Sequence, residues 1–116
     1  MKDNNASGVY AITCSVTDRQ YIGSSRNVHS RIDAHFSALR NGRHYNPDLQ
    51  ADFTRHGEAA FRWTIINLCT PALLRAKEQR FMVLAYRNEE NLYNIREARH
   101  VNATSDTELL AAVENF

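Results

Sequence analysis

One carboxylate lies on a helix face that is otherwise apolar. Residues 70–86 have helical periodicity, and at that spacing Glu78 falls within the apolar stripe of the helix. The other members of the stripe are Leu74, Phe81, Met82 and Ala85. Burying an unpaired charge costs several kcal/mol, so Glu78 needs an arginine partner, a metal ion, a proton or a place at the edge of the stripe.

Groups that bind phosphate or transfer protons are concentrated in the first half of the chain. The net charge is only +1, which by itself does not indicate a nucleic-acid partner. The distribution is uneven, because residues 89–116 hold six carboxylates whereas the earlier segments are basic. The early basic residues are Arg19, Arg26, Arg31, Arg40, Arg43, Arg55, Arg62, His29, His35, His44 and His56. This pattern suits either an anionic substrate or ordinary surface charge.

Three segments have the properties of β-strands. Residues 8–14 and 20–23 are short β-prone runs joined by a polar turn, which predicts a hairpin. Phe61, Trp63 and Ile65 alternate with polar residues, which predicts a third strand that is central or half buried. Residues 91–95 form a short segment that could return to the sheet.

Helical segments separate and follow these strands. Asn27 and Asn46 are expected to cap the first two helices, and Gly42 and Gly57 are expected to end them. Thr70 followed by proline is expected to open the helix that carries Glu78. A capping box at Ser105 and Glu108 predicts a short C-terminal helix containing Leu109, Leu110 and Val113. The predicted class is α+β.

Length and composition indicate one small domain. A chain of 116 residues, 43% of them hydrophobic and 23% charged, fits one core. Its apolar runs are too short to cross a bilayer and its N-terminus is polar, so we expect no membrane segment and no signal peptide.

Two short motifs flank the turn of the predicted hairpin. Residues 8–10 are Gly-Val-Tyr, residues 21–23 are Tyr-Ile-Gly, and ten residues separate them. Four polar residues follow in the chain, namely Arg31, His35, Glu78 and Asn94. Over roughly residues 7–95 the chain resembles the GIY-YIG nuclease superfamily. His44, the Arg-x-x-x-His spacing and residues 93–95 make it most similar to the nuclease domain of phage-type homing endonucleases.

The resemblance implies a fold, a domain boundary and a reaction. The fold is a three-stranded, mainly antiparallel sheet flanked by helices. Residues 1–95 are the nuclease domain, and residues 96–116 are a tail with a short helix that packs on the domain or leads to a missing region. The activity is hydrolysis of DNA phosphodiester bonds by a single-metal mechanism. A hard ion such as Mg²⁺ keeps several waters while held by one or two carboxylates, and the resemblance implies that Glu78 anchors one Mg²⁺ or Mn²⁺ ion.

The other site residues receive roles from the same resemblance. Arg31 stabilises transition-state charge, since a guanidinium fits phosphate geometry, and His35 faces the same phosphate. Tyr10 is the general base or orients the attacking water, with Tyr21 beside it. The remaining expectations are that His44 transfers a proton or contacts phosphate, that Asn94 orients Glu78 or Tyr10, and that Arg26, Arg31, Arg43 and His44 bind nucleic acid.

Each role has a plainer alternative. The tyrosines could be core aromatics, Arg31 a surface charge, His35 a histidine bonded to a backbone carbonyl, and Asn94 a turn residue. For the whole chain, the alternatives are a structure- or repair-type nuclease and a binding module that has lost cleavage, with RNA also open as a substrate. We expect location in the cytoplasm of a bacterial or phage-infected host cell, with targeting by a separate domain or protein. The oligomeric state is not indicated.

Overall fold

The chain folds into one antiparallel sheet with helices packed on both faces. The computed structural model describes residues 6–104. The elements in chain order are β1 (Gly8–Cys14), β2 (Gln20–Ser25), α1 (Val28–Arg40), α2 (Pro47–His56), a 3₁₀ turn (Glu58–Ala60), β3 (Phe61–Leu68), a second 3₁₀ turn (Pro71–Leu73), α3 (Leu74–Arg87) and α4 (Ile95–Thr104). The three strands lie in the order β2-β1-β3, and both pairings are antiparallel. The predicted α+β class is confirmed.

Alternation along β1 divides the core into two clusters. Tyr10 and Ile12 point to one face of the sheet, where they pack with apolar residues of α1 and α2. Val9 points to the other face and packs with residues of α3 and α4, including Met82 and Ala98. Side chains at alternate positions of β1 and β2 therefore face different helices.

The two predicted asparagine caps are confirmed. The Asn27 side chain accepts a hydrogen bond from the Ser30 amide, and the Asn46 side chain accepts from two amides of the first turn of α2. Pro47 occupies the first turn of α2, where its missing N–H leaves no helical bond unmade. The Asn46 cap therefore determines where the loop between α1 and α2 ends.

The strands and the third helix differ in detail from the predictions. β1 is the central strand and β3 is an edge strand, so of the two alternatives for the third strand, central or half buried, the structure has the half-buried one. Thr70 makes no side-chain cap, because the 3₁₀ turn precedes α3 and moves the helix start to Leu74. The segment 91–95 reaches the sheet through one parallel bridge, between Gln20 and Leu92.

The first part of the predicted tail forms a helix that packs on the domain. α4 begins at Ile95, next to the predicted boundary between residues 95 and 96, and carries Ala98 into the core. The capping box at Ser105 and Glu108, and the helix predicted from it, lie outside the described residues. Within residues 6–104, each helix is too short or too polar to cross a membrane.

Candidate active site

Tyr10 lies at the centre of a polar cluster on the sheet face that α1 covers. Its ring packs over Gly23 of the neighbouring strand, where a Cβ would lie 2.5 Å from the Tyr10 hydroxyl oxygen. A glycine is required there because any side chain would displace the ring. Tyr10 is 1% exposed, so a water that reaches its hydroxyl must be held inside the site.

A chain of hydrogen bonds runs from the Tyr10 hydroxyl to a backbone amide. The Tyr10 hydroxyl and His35 Nε2 are 2.6 Å apart. His35 Nδ1 and His44 Nε2 are 2.7 Å apart. His44 Nδ1 lies 3.0 Å from the backbone nitrogen of Asn46. Four residues are thus connected through both nitrogens of two imidazole rings.

The Asn46 amide determines which ring nitrogen of each histidine carries the proton. The Asn46 amide can only donate, so His44 Nδ1 accepts and the proton of neutral His44 is on Nε2. His44 Nε2 then donates to His35 Nδ1, which places the His35 proton on Nε2. His35 Nε2 therefore donates to the Tyr10 oxygen. The hydroxyl proton of Tyr10 is left free to bond another group, and the oxygen is already prepared for negative charge.

Burial keeps these groups neutral. Burial lowers the pKa of His35 to about 4, and the neighbouring His44 and Arg31 act in the same direction. Burial also lowers the pKa of His44. Burial raises the pKa of the Tyr10 phenol, Tyr45 and Glu78 raise it further, and Arg31 lowers it. At neutral pH the chain therefore consists of two neutral imidazoles and a neutral phenol.

The loop between α1 and α2 holds His44 in place. The His44 amide donates to Gln50 Oε1 over 2.9 Å, which joins the loop to α2. Asn46 caps α2 through its side-chain oxygen, and its side-chain nitrogen donates to the Tyr93 carbonyl over 3.1 Å. The imidazole of His44 is thus positioned by three segments that are distant in the chain.

Glu78 projects from α3 towards the same cluster and is half buried. Its Oε1 accepts a hydrogen bond from the Ser24 hydroxyl over 2.5 Å. Neither ion pair described within residues 6–104, Arg19 with Asp48 and Arg40 with Glu58, includes it. Burial raises the pKa of the Glu78 carboxyl, which Ser24 and Arg31 partly oppose. The predicted alternative of an internal arginine pair is therefore not found in the described part of the chain.

Arg31, Tyr21 and Tyr45 complete the cluster. Arg31 is exposed on α1, one turn before His35, and these two residues line the same slot. The hydroxyl of Tyr21 is hydrogen-bonded to that of Tyr45. Burial raises the pKa of Tyr45 to about 12, with Glu78 adding to the shift. Tyr45 was missed as a site residue by the sequence analysis, although it directly follows His44 in a loop with no other aromatic residue.

Asn94 does not make the predicted contact with Glu78 or Tyr10. Its buried amide instead bonds both backbone groups of Ile22, with Nδ2 2.7 Å from the carbonyl oxygen and Oδ1 3.4 Å from the nitrogen. These hydrogen bonds replace those that a neighbouring strand would make with Ile22 at the edge of β2. Asn94 therefore holds the strand that carries Tyr21 and Gly23, and its influence on the site is indirect.

Two predicted nucleic-acid contacts lie away from the hydrogen-bonded cluster. Arg26 precedes α1 and Arg43 follows it, and both are exposed. A helix of 13 residues is roughly 20 Å long, so these two residues lie at opposite ends of α1. Arg31 and His35 lie between them.

Sequence comparison identifies the family. The family described as the GIY-YIG catalytic domain matches residues 6–71, more than half of the chain. Intron-associated endonuclease 1 of Enterobacteria phage T4 is 29% identical over 93 residues, which are 79% of this chain and 38% of that protein. The chain thus spans well under half the length of this relative.

Solved structures agree on the fold. The catalytic domain of the homing endonuclease I-TevI superimposes with a TM-score of 0.65 at 24% identity, covering 73% of this chain and 94% of that one. A glutamate-to-alanine mutant of the same catalytic domain gives a TM-score of 0.66 at 24% identity, covering 74% and 90%. With the motif residues gathered around one buried tyrosine, the chain belongs to the GIY-YIG family of nuclease catalytic domains.

Proposed function

We propose that this chain is a DNA endonuclease of the phage or mobile-element homing type, which hydrolyses phosphodiester bonds with one divalent metal ion. The observation that supports this most is the fixed direction of the hydrogen bonds from Asn46 through His44 and His35 to Tyr10. Because the Tyr10 phenol accepts a hydrogen bond from His35, negative charge on its oxygen is stabilised. A tyrosine that only packs in the core needs no such donor. Arg31 and Glu78 lie on the same side of the molecule and supply charges of both signs.

The residues around Glu78 fit a hard divalent ion. GIY-YIG nucleases generally depend on a divalent metal. Glu78 is half buried, its pKa is raised by burial, and its one described side-chain bond comes from a neutral hydroxyl. Within residues 6–104 no group of three acidic, histidine or cysteine side chains could hold a metal together. These features suit one Mg²⁺ or Mn²⁺ ion that keeps most of its waters and binds Glu78 alone. When bound there, such an ion would supply positive charge that stabilises the phenolate and the charge developing on phosphate.

The other steps of phosphodiester hydrolysis are assigned to protein side chains. The Tyr10 phenol first loses its hydroxyl proton to solvent, and the phenolate is stabilised by the hydrogen bond from His35. The attacking water then gives a proton to the phenolate oxygen while its own oxygen forms the bond to phosphorus. The bond from phosphorus to the 3′ oxygen breaks, and this oxygen takes a proton from solvent. The Arg31 guanidinium donates to the phosphoryl oxygens on which charge accumulates. His35 keeps the Tyr10 oxygen oriented throughout, because its own proton remains on Nε2.

Plasmid nicking tests the proposal. Wild-type protein should convert supercoiled plasmid to the nicked or linear form with Mg²⁺ or Mn²⁺ and should be inactive in EDTA. Glu78→Ala should be inactive under all three conditions while its circular dichroism spectrum is unchanged. Metal-dependent nicking by Glu78→Ala at the wild-type rate would refute the assignment of Glu78 to the metal. A wild-type protein that binds DNA without cutting it would support the alternative of a binding module.

We further propose that target selection depends on another domain or protein. The net charge of +1 and a few exposed arginines give mainly phosphate contacts, which carry no base sequence information. Non-specific binding at physiological salt is expected in the range of roughly 10⁻⁴ to 10⁻⁶ M. Nanomolar, sequence-selective binding by these 116 residues alone would contradict this.

A further inference from the structure

A narrow slot opens beside the Tyr10 cluster, between α1 and the loop that follows it. Its volume is about 180 Å³, and it is lined by Arg31, Ala34, His35, Ala38, His44 and Tyr45. Ala34 and Ala38 are one helical turn apart, so their methyl groups leave a flat, open stretch on the surface of α1. The walls are thus mainly apolar and aromatic, and a guanidinium is present at one end.

The aromatic wall has a fixed orientation. The rings of His35 and His44 are joined edge to edge by their hydrogen bond, with centroids 4.9 Å apart and an angle of 19°. The ring of Tyr45 stacks on His44 at 4.6 Å and 21°. The Tyr45 hydroxyl is bonded to Tyr21. Tyr45 is therefore held both by one face and by its hydroxyl.

The outer part of this ring is open. Tyr45 is 70% exposed, more than any other large apolar or aromatic side chain among residues 6–104. Since one face is covered by His44, the exposed area includes the opposite face. A rigid aromatic ring with a free face, next to an arginine, has the features of a stacking position for a nucleobase. Ordinary surface packing does not require either the rigidity or the exposure.

We propose that this slot is a subsite for one unpaired nucleobase of the DNA strand, next to the phosphate that is cut. The base stacks on Tyr45 and lies along Ala34 and Ala38, while its phosphate reaches Arg31. The inference rests on the proposed function and deepens it, because a base in a duplex is stacked between its neighbours and cannot enter the slot. Strands that are single, mismatched or locally opened at the cleavage position would then be preferred.

Binding of two single-stranded probes tests the subsite without cleavage. Fluorescence anisotropy in EDTA would compare a short oligothymidylate with an abasic oligomer of equal length, which carries the same phosphates and no bases. Wild-type protein should bind oligothymidylate about 5-fold to 150-fold more tightly, the range expected from stacking of one base. Tyr45→Phe keeps the ring and should keep this preference. Tyr45→Leu should bind both oligomers as weakly as wild type binds the abasic one.

A second pair of variants leaves the tyrosine in place. Ala38→Leu fills the slot and should also abolish the preference, whereas Ser37→Leu on the exposed side of α1 should not. Equal binding of the two oligomers by wild type, or a preference that survives Tyr45→Leu and Ala38→Leu, would overturn the subsite and leave the nuclease assignment standing. Failure of wild type to bind either oligomer would also overturn the subsite, whereas failure to nick plasmid would overturn the nuclease assignment.

Discussion

His44 is expected to control the basicity of a residue that it does not touch. In His44→Leu the ring is replaced by an apolar side chain of similar reach, and no group fixes the proton of His35. His35 Nε2 can then accept a proton from Tyr10 instead of donating one to it. Tyr10 loses the donor that stabilises its phenolate, so its pKa should rise.

The size of this effect follows from the bond that is lost. A hydrogen bond to a charged group contributes about 1.5 to 3 kcal/mol, which corresponds to a pKa rise of about 1 to 2 units for Tyr10. Cleavage near pH 7 should therefore slow by about 10-fold to 150-fold. Because burial already raises the pKa of Tyr10, both proteins stay below this pKa across the usable pH range. Their rates should therefore rise with pH in parallel and remain separated by this factor.

Single-turnover cleavage of plasmid as a function of pH is the appropriate assay. His44→Gln is the matched control, since its amide can accept from the Asn46 amide and donate to His35 Nδ1, and it should retain most of the activity. Nitrogen-15 NMR of the imidazoles gives an independent measurement of which nitrogen carries each proton. A His35 proton found on Nδ1 in wild type, or cleavage rates of His44→Leu that coincide with those of wild type across the pH range, would refute this account of the site.

Four further predictions concern single residues. Glu78→Gln should raise the melting temperature of the metal-free protein, measured by calorimetry, because burial disfavours the ionised carboxylate. Arg31→Lys should cleave poorly in the plasmid assay, since a point charge does not reproduce the guanidinium fork. His35 has a folded-state pKa of about 4, so the unfolded chain takes up its proton first as pH falls below 6.5. Urea titrations should show about 3 kcal/mol of stability lost from this group between pH 7 and pH 4, absent in His35→Gln. Gly23→Ala places a methyl group against Tyr10 and should lower the free energy of unfolding by about 1 to 3 kcal/mol.

The sequence predicted those parts of the fold that have local causes. The caps at Asn27 and Asn46 and the ends of α1 and α2 depend on residues within a few positions of each other, and they were predicted correctly. The alternation along β3 left a central and a half-buried strand open, because strand order depends on which strands pair, which alternation along one strand does not encode. α4 was missed because its packing against α3 depends on long-range contacts of Ala98.

The site shows the same division between local and long-range information. The motif residues identified Tyr10, His35 and Glu78 as members of one cluster, and the structure brings them together. The direction of the hydrogen bonds was not predictable, since it depends on the Asn46 amide, a backbone group that every non-proline residue has. Asn94 was misassigned for a related reason, because its partner is the backbone of Ile22 and not a side chain that the sequence displays.

Asn46 makes the chemistry of the site dependent on the first turn of one short helix. The same residue caps α2, holds the segment at Tyr93 and supplies the amide that sets the His44 proton. Helix ends open at a much smaller free-energy cost than whole domains unfold. Fraying of this one turn would remove the amide that determines which nitrogen of each histidine carries the proton, while the sheet remained intact. The protein would then lose activity on warming before it melts, and its working temperature would be limited by ten residues of α2 and not by its core.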